Sequence, residues 1–143
     1  MTMDRKGSAV WRGSIREGQG TVSTETGTLA AAPYNFTSRF EHGAGTNPEE
    51  LLGAAHAGCF SMAFSGQLGA AQLVAQSIET TATVTVEKLE GGFAITKVHL
   101  AVKATVPGAD RAKVEAAAAA AKAGCPVSKL FNAPITMDLA LVV

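Results

Sequence analysis

Cysteine is scarce in this sequence, which contains only Cys59 and Cys125 among its 143 residues. Small secreted domains that depend on disulfides need several pairs, so that class is disfavoured. A chain of this length with 47% hydrophobic residues can bury a core without a covalent staple. We expect a single domain over residues 1–143, with two cysteines that are either inert core residues or a working redox pair.

Long apolar runs are also missing. The most apolar stretch, Leu51 to Phe64, has about fourteen residues, whereas a membrane-spanning helix needs about 20. The first residues, MTMDRKGSAVW, carry charges without a following apolar stretch and are not typical of a secretory signal. We therefore predict a soluble, cytoplasmic protein, whose reducing surroundings disfavour a permanent disulfide.

The sequence has no net charge of either sign, because its twelve basic side chains balance its twelve acidic ones. Nucleic acids and anionic membranes attract proteins that present a basic face. The sequence therefore predicts neither a nucleic-acid partner nor insertion into a membrane.

Motifs for metals and cofactors are absent too, since there is no phosphate-binding loop, GxSxG or HExxH. His56 and Cys59 are three residues apart, but a zinc site needs three or four ligands. We predict no metal and no bound cofactor, and interpret His56 as a core or interface histidine. A Cys–His nucleophile pair is the alternative, although residues three apart on one helix seldom align as base and nucleophile.

What the sequence does contain is a series of strand and helix patterns. Alternating apolar residues predict two hairpins and a last strand. With helices between the two strand groups, the pattern indicates an α+β fold, in which antiparallel sheets surround a buried central helix. The predicted segments are strands 8–16, 19–25, 77–89, 93–106 and 134–143, a short extended piece at 36–40, and helices 48 to about 68, 110 to about 124 and 125 to about 132.

Cys59 lies in the helix with the clearest start signal. Asn47 is a good N-cap, Pro48 suits the first helical position, and Glu49 and Glu50 complement the helix dipole. The residues that follow are apolar nearly all the way round, which predicts burial on most sides. A free cysteine in such a helix usually packs like a small apolar residue, so an inert Cys59 is the simplest interpretation.

Cys125 changes this balance. It precedes Pro126, which favours the first helical turn and so predicts Cys125 at a helix N-cap. Backbone N–H groups and the positive end of the helix dipole favour a thiolate there, and Lys122 and Lys129 add positive charge nearby. A mere helix break at Gly-Cys-Pro is the alternative.

The segments around the two cysteines are long enough to be diagnostic. TNPEELLGAAHAGCFSMAF at 46–64 and KAGCPVSKLF at 122–131 resemble the two cysteine motifs of the OsmC/Ohr family of hydroperoxide reductases. The similarity continues through residues 20–43 and 92–100 and is closer to the osmotically inducible OsmC branch.

This resemblance implies a peroxidase that reduces organic hydroperoxides to alcohols. It implies that Cys59 is the peroxidatic cysteine, which becomes a sulfenic acid, and that Cys125 resolves it as a Cys59–Cys125 disulfide. Arg39 of FTSRF and Glu49 of NPEE complete the implied catalytic set. An external dithiol of the dihydrolipoyl type is the implied reductant, and the implied role is in oxidative and osmotic stress.

The resemblance also implies an intertwined homodimer with active sites shared between subunits. Helical spacing supports this, because Glu49 and Cys59 are ten residues apart, which corresponds to about 15 Å of axial rise. One arginine of the same chain does not readily reach both along a straight helix. Supplying Glu49 and Cys59 from different chains removes the difficulty.

An apolar substrate pocket suited to alkyl or lipid hydroperoxides is a further expectation. Its candidate lining residues are Phe36, Phe40, Leu52, Phe60 and Met62. The simpler alternative is that several of them are core. Two other functions stay open at this point: a redox sensor that forms the same disulfide without turnover, and a small-ligand-binding protein with inert cysteines.

Overall fold

The computed structural model describes residues 1–143 as two compact units, 1–51 and 52–143. The strands are β1 (Gly7–Arg12), β2 (Gln19–Thr24), β3 (Ala32–Tyr34), β4 (Ser77–Leu89), β5 (Gly92–Thr105) and β6 (Ile135–Val142), and the helices are α1 (Phe36–Phe40), α2 (Pro48–Ala70), α3 (Arg111–Gly124) and α4 (Pro126–Leu130). None of the helices combines the length and the apolar composition that crossing a bilayer requires.

The first unit contains the antiparallel sheet β1–β2–β3. The predicted N-terminal hairpin is confirmed, with Gly7 opposite Thr24 and Arg12 opposite Gln19. The loop of this hairpin is longer than predicted. It closes where the backbone N–H of Gly18 donates a hydrogen bond to the carbonyl oxygen of Ser14 over 2.8 Å. A Cβ on Gly18 would lie 2.3 Å from that same carbonyl oxygen, so only glycine fits this close approach.

Helix α1 corrects the prediction of a short extended piece at 36–40. Asn35 caps the helix, because its side chain accepts from Ser38 N over 2.8 Å. The Ser38 hydroxyl accepts in return from Asn35 N over 2.9 Å, which completes a reciprocal capping box. Five residues are too few to show a helical period, so the cap rather than the apolar pattern was the available signal.

Helix α2 begins as predicted, with Asn47 Oδ1 accepting from Glu50 N over 2.8 Å. Its burial differs from the prediction. A single stripe at helical spacing is fully buried and consists of His56, Phe60, Phe64 and Leu68. Met62, on another face of the helix, is 81% exposed. The expectation of a helix buried on most sides is therefore wrong for the single chain, which leaves apolar surface of α2 uncovered.

The second unit contains the sheet β4–β5–β6. The predicted long hairpin is confirmed, since β4 and β5 pair antiparallel from Ser77 opposite Thr105 to Leu89 opposite Gly92. Gly92 has a φ of +124°, a backbone conformation that other residues rarely adopt.

Strand β6 corrects the prediction that the C-terminal sheet is antiparallel. It pairs parallel to β5, from Val98 opposite Ile135 to Thr105 opposite Val142. The connection between them carries α3 and α4, and a crossover of this length with a helix is what a parallel pair requires. The strand pattern alone did not reveal this, because alternation gives the faces of a strand but not its direction.

The core of the second unit lies between this sheet and helices α2 and α3. Asp110 caps α3 as predicted, with its carboxylate accepting from Ala112 N over 2.9 Å. Small alanines on the buried face of α3 allow it to pack closely. The buried apolar residues are Phe60, Phe64, Leu68, Val98, Leu100, Val102, Ala104, Val106, Val114, Ala117, Ala118, Ala121 and Cys125.

Candidate active site

Cys125 ends α3 and caps α4, which confirms the prediction of a helix N-cap. Its Sγ accepts a hydrogen bond from Ser128 N over 3.3 Å. The residue is 1% exposed. Pro126 has no backbone N–H and follows directly, so it occupies a position of the first turn where a donor is not needed.

Cys59 lies beside Cys125, and both thiols are free. Burial raises the pKa of Cys59, and the hydrogen bond and charge of Cys125 raise it further. A hydrogen bond with the backbone of Val127 opposes these effects and lowers the pKa of Cys59. Helix α2 and the start of α4 thus bring the two cysteines of the chain together, although many residues separate them in sequence.

Two residues that sequence reasoning did not place in the site, Ser128 and His56, are linked to Cys125 by successive hydrogen bonds. Cys125 Sγ donates to Ser128 Oγ over 3.1 Å, and Ser128 Oγ lies 2.8 Å from His56 Nε2. His56 is fully buried and packs on the ring of Phe131, with centroids 5.3 Å apart. The spacing of Ser128 three residues after Cys125 was the available signal, since an N-cap and its third helical residue face each other.

Arg39 and Glu49 form an ion pair within the first unit. Arg39 Nη2 donates to Glu49 Oε1 over 2.9 Å, and Nε donates to Oε1 and Oε2 over 3.1 and 3.3 Å. The Glu49 side chain is 8% exposed and that of Arg39 is 38% exposed. A two-point contact of this kind fixes the plane of the guanidinium and leaves one edge for another group.

The candidate pocket residues lie in different surroundings. The rings of Phe36 and Phe40 pack at a tilt of 56° with their centroids 5.2 Å apart, and the Arg39 guanidinium lies 4.9 Å from the centre of the Phe40 ring. With Trp11 and Ile15 they line a cavity of about 250 Å³ in the first unit. In the second unit, Leu52 is partly buried, Phe60 is fully buried in the core, and Met62 is exposed.

The titratable side chains do not form a metal site. No three His, Cys, Asp or Glu residues converge closely enough to hold an ion. The second unit brings together two thiols, a hydroxyl and an imidazole, and the first unit holds a guanidinium in a fixed orientation.

The family model for OsmC-like proteins matches residues 41–140, so the chain belongs to the OsmC family. It is 53% identical over 141 residues to Peroxiredoxin OsmC of Escherichia coli (strain K12), and the match covers 99% of both chains. It is 30% identical over 100 residues to an organic hydroperoxide resistance protein of Xanthomonas axonopodis pv. citri, covering 69% of this chain and 68% of that one.

The fold is similar to that of an OsmC-like protein of unknown function from Vibrio cholerae. The TM-score is 0.74 at 15% identity, and the similarity covers 96% of this chain and 99% of that one. At this identity the likeness concerns the fold: an α+β architecture with two three-stranded sheets and one long helix.

Proposed function

We propose that this chain is a cysteine-based peroxidase that reduces organic hydroperoxides to alcohols, with Cys59 as the attacking residue. The observation that carries the proposal is the contact between two free thiols, Cys59 and Cys125, in a chain of this family. The relatives add support, since one is named a peroxiredoxin and another an organic hydroperoxide resistance protein.

The first step is attack of the Cys59 thiolate on the distal oxygen of the hydroperoxide. The O–O bond breaks, the alkoxide leaves and is protonated to an alcohol, and Cys59 becomes a sulfenic acid. Only the thiolate is sufficiently nucleophilic for this attack. Because burial and Cys125 raise the pKa of Cys59, the site needs a cation to favour the anion.

Arg39 supplies that cation in our proposal. A guanidinium about 4 Å from a thiolate, at an effective dielectric constant of about 20, contributes about 4 kcal/mol, or roughly three pKa units. Glu49 partly offsets this charge, so its role is to hold the guanidinium in position through the two-point contact. Arginine suits the task because it stays protonated throughout.

The active site is shared between two subunits in the proposed homodimer. The Arg39–Glu49 pair of one chain serves Cys59 of the partner, because Glu49 and Cys59 are ten positions apart along one helix within a chain. The exposed apolar surface of α2, with Met62 at 81% exposure, supports such an interface.

The cycle closes by disulfide exchange. Cys125 attacks the Cys59 sulfenic acid, a Cys59–Cys125 disulfide forms and one water leaves. An external dithiol of the dihydrolipoyl type then reduces the disulfide in two exchange steps and is itself oxidised. No metal or bound cofactor takes part, and we place the enzyme in the cytoplasm, where such reductants are available.

The substrate is an alkyl or lipid hydroperoxide rather than hydrogen peroxide. The aromatic cavity around Phe36 and Phe40 lies beside the Arg39 guanidinium, which supports an apolar substituent held next to the reacting oxygens. Leu52, Phe60 and Met62 are further proposed pocket residues, of which Phe60 is fully buried in the core of the single chain and Met62 is exposed.

The test is to count thiols by mass spectrometry after one equivalent of cumene hydroperoxide. We expect a Cys59–Cys125 disulfide in the wild type, a trapped or overoxidised Cys59 in Cys125→Ser, and no peroxide consumption in Cys59→Ser. Continued turnover with a dithiol distinguishes an enzyme from a redox sensor, which stops after one equivalent. Unchanged peroxide consumption in Cys59→Ser would refute the proposal.

A further inference from the structure

The side chains behind Cys125 form a chain of hydrogen bonds that the cycle proposed above does not use. Cys125 Sγ donates to Ser128 Oγ over 3.1 Å, and Ser128 Oγ lies 2.8 Å from Nε2 of His56. All three residues are buried, and His56 is fully shielded from solvent. A thiol, a hydroxyl and an imidazole are thus aligned away from bulk water.

His56 is suited to receive a proton along this chain. Burial lowers the pKa of His56 and so favours the neutral imidazole, which has one nitrogen free to accept. In the tautomer with its proton on Nδ1, Nε2 accepts from the Ser128 hydroxyl, while Ser128 accepts from the Cys125 thiol. Both hydrogen bonds of this series are then donated in the direction of His56.

The other ring nitrogen argues against a purely structural histidine. Nδ1 of His56 is buried without a hydrogen-bond partner. An unpaired buried polar atom lowers the stability of the fold, and an apolar residue of similar size would avoid this loss. Packing on the Phe131 ring alone therefore does not explain why an imidazole occupies this position.

We propose that His56, acting through Ser128, accepts the proton of Cys125 when this thiol attacks the Cys59 sulfenic acid. His56 is linked to Cys125 through the Ser128 hydroxyl, so it is a positioning residue that works through the serine. This inference rests on the peroxidase function proposed above. It names His56 as the proton acceptor for the step that forms the Cys59–Cys125 disulfide.

In the proposed step, the Cys125 sulfur gives an electron pair to the Cys59 sulfur, the S–O bond breaks and hydroxide leaves. The thiol proton passes to Ser128 Oγ while the serine proton passes to Nε2 of His56. The imidazolium then gives up a proton as the hydroxide becomes water, so the net products are the disulfide and one water.

The test is a single turnover in His56→Gln, with one equivalent of cumene hydroperoxide, rapid quenching, and mass spectrometry of the dimedone-trapped sulfenic acid and the disulfide. Glutamine can still accept from Ser128 but cannot take up a proton. We expect sulfenic acid formation to stay within about twofold of the wild type and disulfide formation to slow about 100-fold, in the range of general base catalysis.

Two further variants separate the relay from packing. Ser128→Ala removes the hydroxyl and should also slow only the second step, and Ser128→Thr, which keeps a hydroxyl, should recover part of the rate. Phe131→Leu removes the ring that packs on His56 and should leave both steps near the wild-type rates. If His56→Gln does not fold, the rate of disulfide formation in Ser128→Ala decides whether the relay exists.

Two results would overturn the inference. One is disulfide formation at the wild-type rate in both His56→Gln and Ser128→Ala. The other is equal slowing of both steps, which would indicate a general loss of packing. A wild type that forms no disulfide at all would refute the proposed function together with the relay, so the two failures are distinguishable.

Discussion

At the scale of single residues, the two adjacent acids at the start of α2 have different surroundings. Glu49 is buried against Arg39, whereas Glu50 is exposed and accepts from the Thr46 hydroxyl over 2.7 Å. Only Glu49 can therefore orient the guanidinium. The adjacent acid offers a matched control for the same change of charge.

We expect Glu49→Gln to lower kcat/KM for cumene hydroperoxide by about 10-fold or more, because a charge-assisted two-point contact becomes a neutral one. Glu50→Gln should stay within about twofold of the wild type, since it alters an exposed contact. Steady-state kinetics with a dithiol reductant measure both. Equal losses in the two variants would point to the helix N-terminus rather than to the arginine.

The burial of His56 leads us to expect that the free energy of unfolding depends on pH. Burial lowers the pKa of His56 in the folded chain. Below the unfolded value of about 6.5 the unfolded chain binds a proton that the folded chain does not, so stability falls as the pH drops from about 7 to 5. Urea denaturation at several pH values should show this slope, and a smaller one in His56→Gln. The exposed His42, changed to glutamine, serves as the control, and an unchanged slope in His56→Gln would contradict the prediction.

Sequence reasoning reached Cys125 at a helix N-cap but not the side chains behind it. The cap depends on neighbours in sequence, Cys125 and Pro126, which the sequence displays directly. The bond from Ser128 to His56 joins residues that only tertiary packing brings together, and nothing local to either one indicates it. The catalytic roles of Cys59, Cys125, Arg39 and Glu49 stay predictions.

At the scale of elements, the glycines of α2 are not equivalent. A Cβ on Gly53 would lie 2.9 Å from the carbonyl oxygen of Ala82 in β4, whereas a Cβ on Gly66 would meet nothing within 4 Å. Gly53 therefore allows the helix to approach the sheet, and Gly66 only weakens the helix.

We expect Gly53→Ala to lower the free energy of unfolding by about 1–3 kcal/mol, because a methyl group is forced against backbone. Gly66→Ala should raise it by up to about 1 kcal/mol through helix propensity. Urea denaturation of both variants measures the difference. Destabilisation by Gly66→Ala would indicate that a partner chain covers that face of α2.

Elements whose caps or periodicity appear in the sequence were predicted well. The short helix α1 and the direction of strand β6 were not. The β4–β5 hairpin and helices α2 and α3 show their period or caps in sequence. Short α1 lacks a period, and the parallel direction of β6 is set by the crossover through α3 and α4. Direction of pairing is a property of the connection, which an alternating strand does not encode.

At the scale of the whole molecule, helix α2 carries more apolar surface than one chain covers. The sequence predicted burial on most sides, and the single chain buries one stripe. In the proposed homodimer, a second subunit would cover the remaining apolar surface.

Mixed dimers test whether the site is shared. In a heterodimer of Arg39→Ala and Cys59→Ser subunits, one site receives both intact residues if they come from different chains. Random assembly of the two variants should then restore about a quarter of the wild-type activity per site, since half of the dimers are mixed and each has one complete site. Coexpression with two affinity tags and peroxide assays measure it. Recovery of no activity would mean that Arg39 acts on Cys59 of its own chain.

The two thiols that meet at α2 and α4 are far apart along the chain, and this separation has a consequence for heat resistance. A disulfide between Cys59 and Cys125 would close a loop of about 65 residues. Restricting the unfolded chain in this way is worth about 4 kcal/mol. The oxidised protein should therefore melt at a higher temperature than the reduced one, so that each oxidation of the pair raises the stability of the fold and each reduction lowers it again.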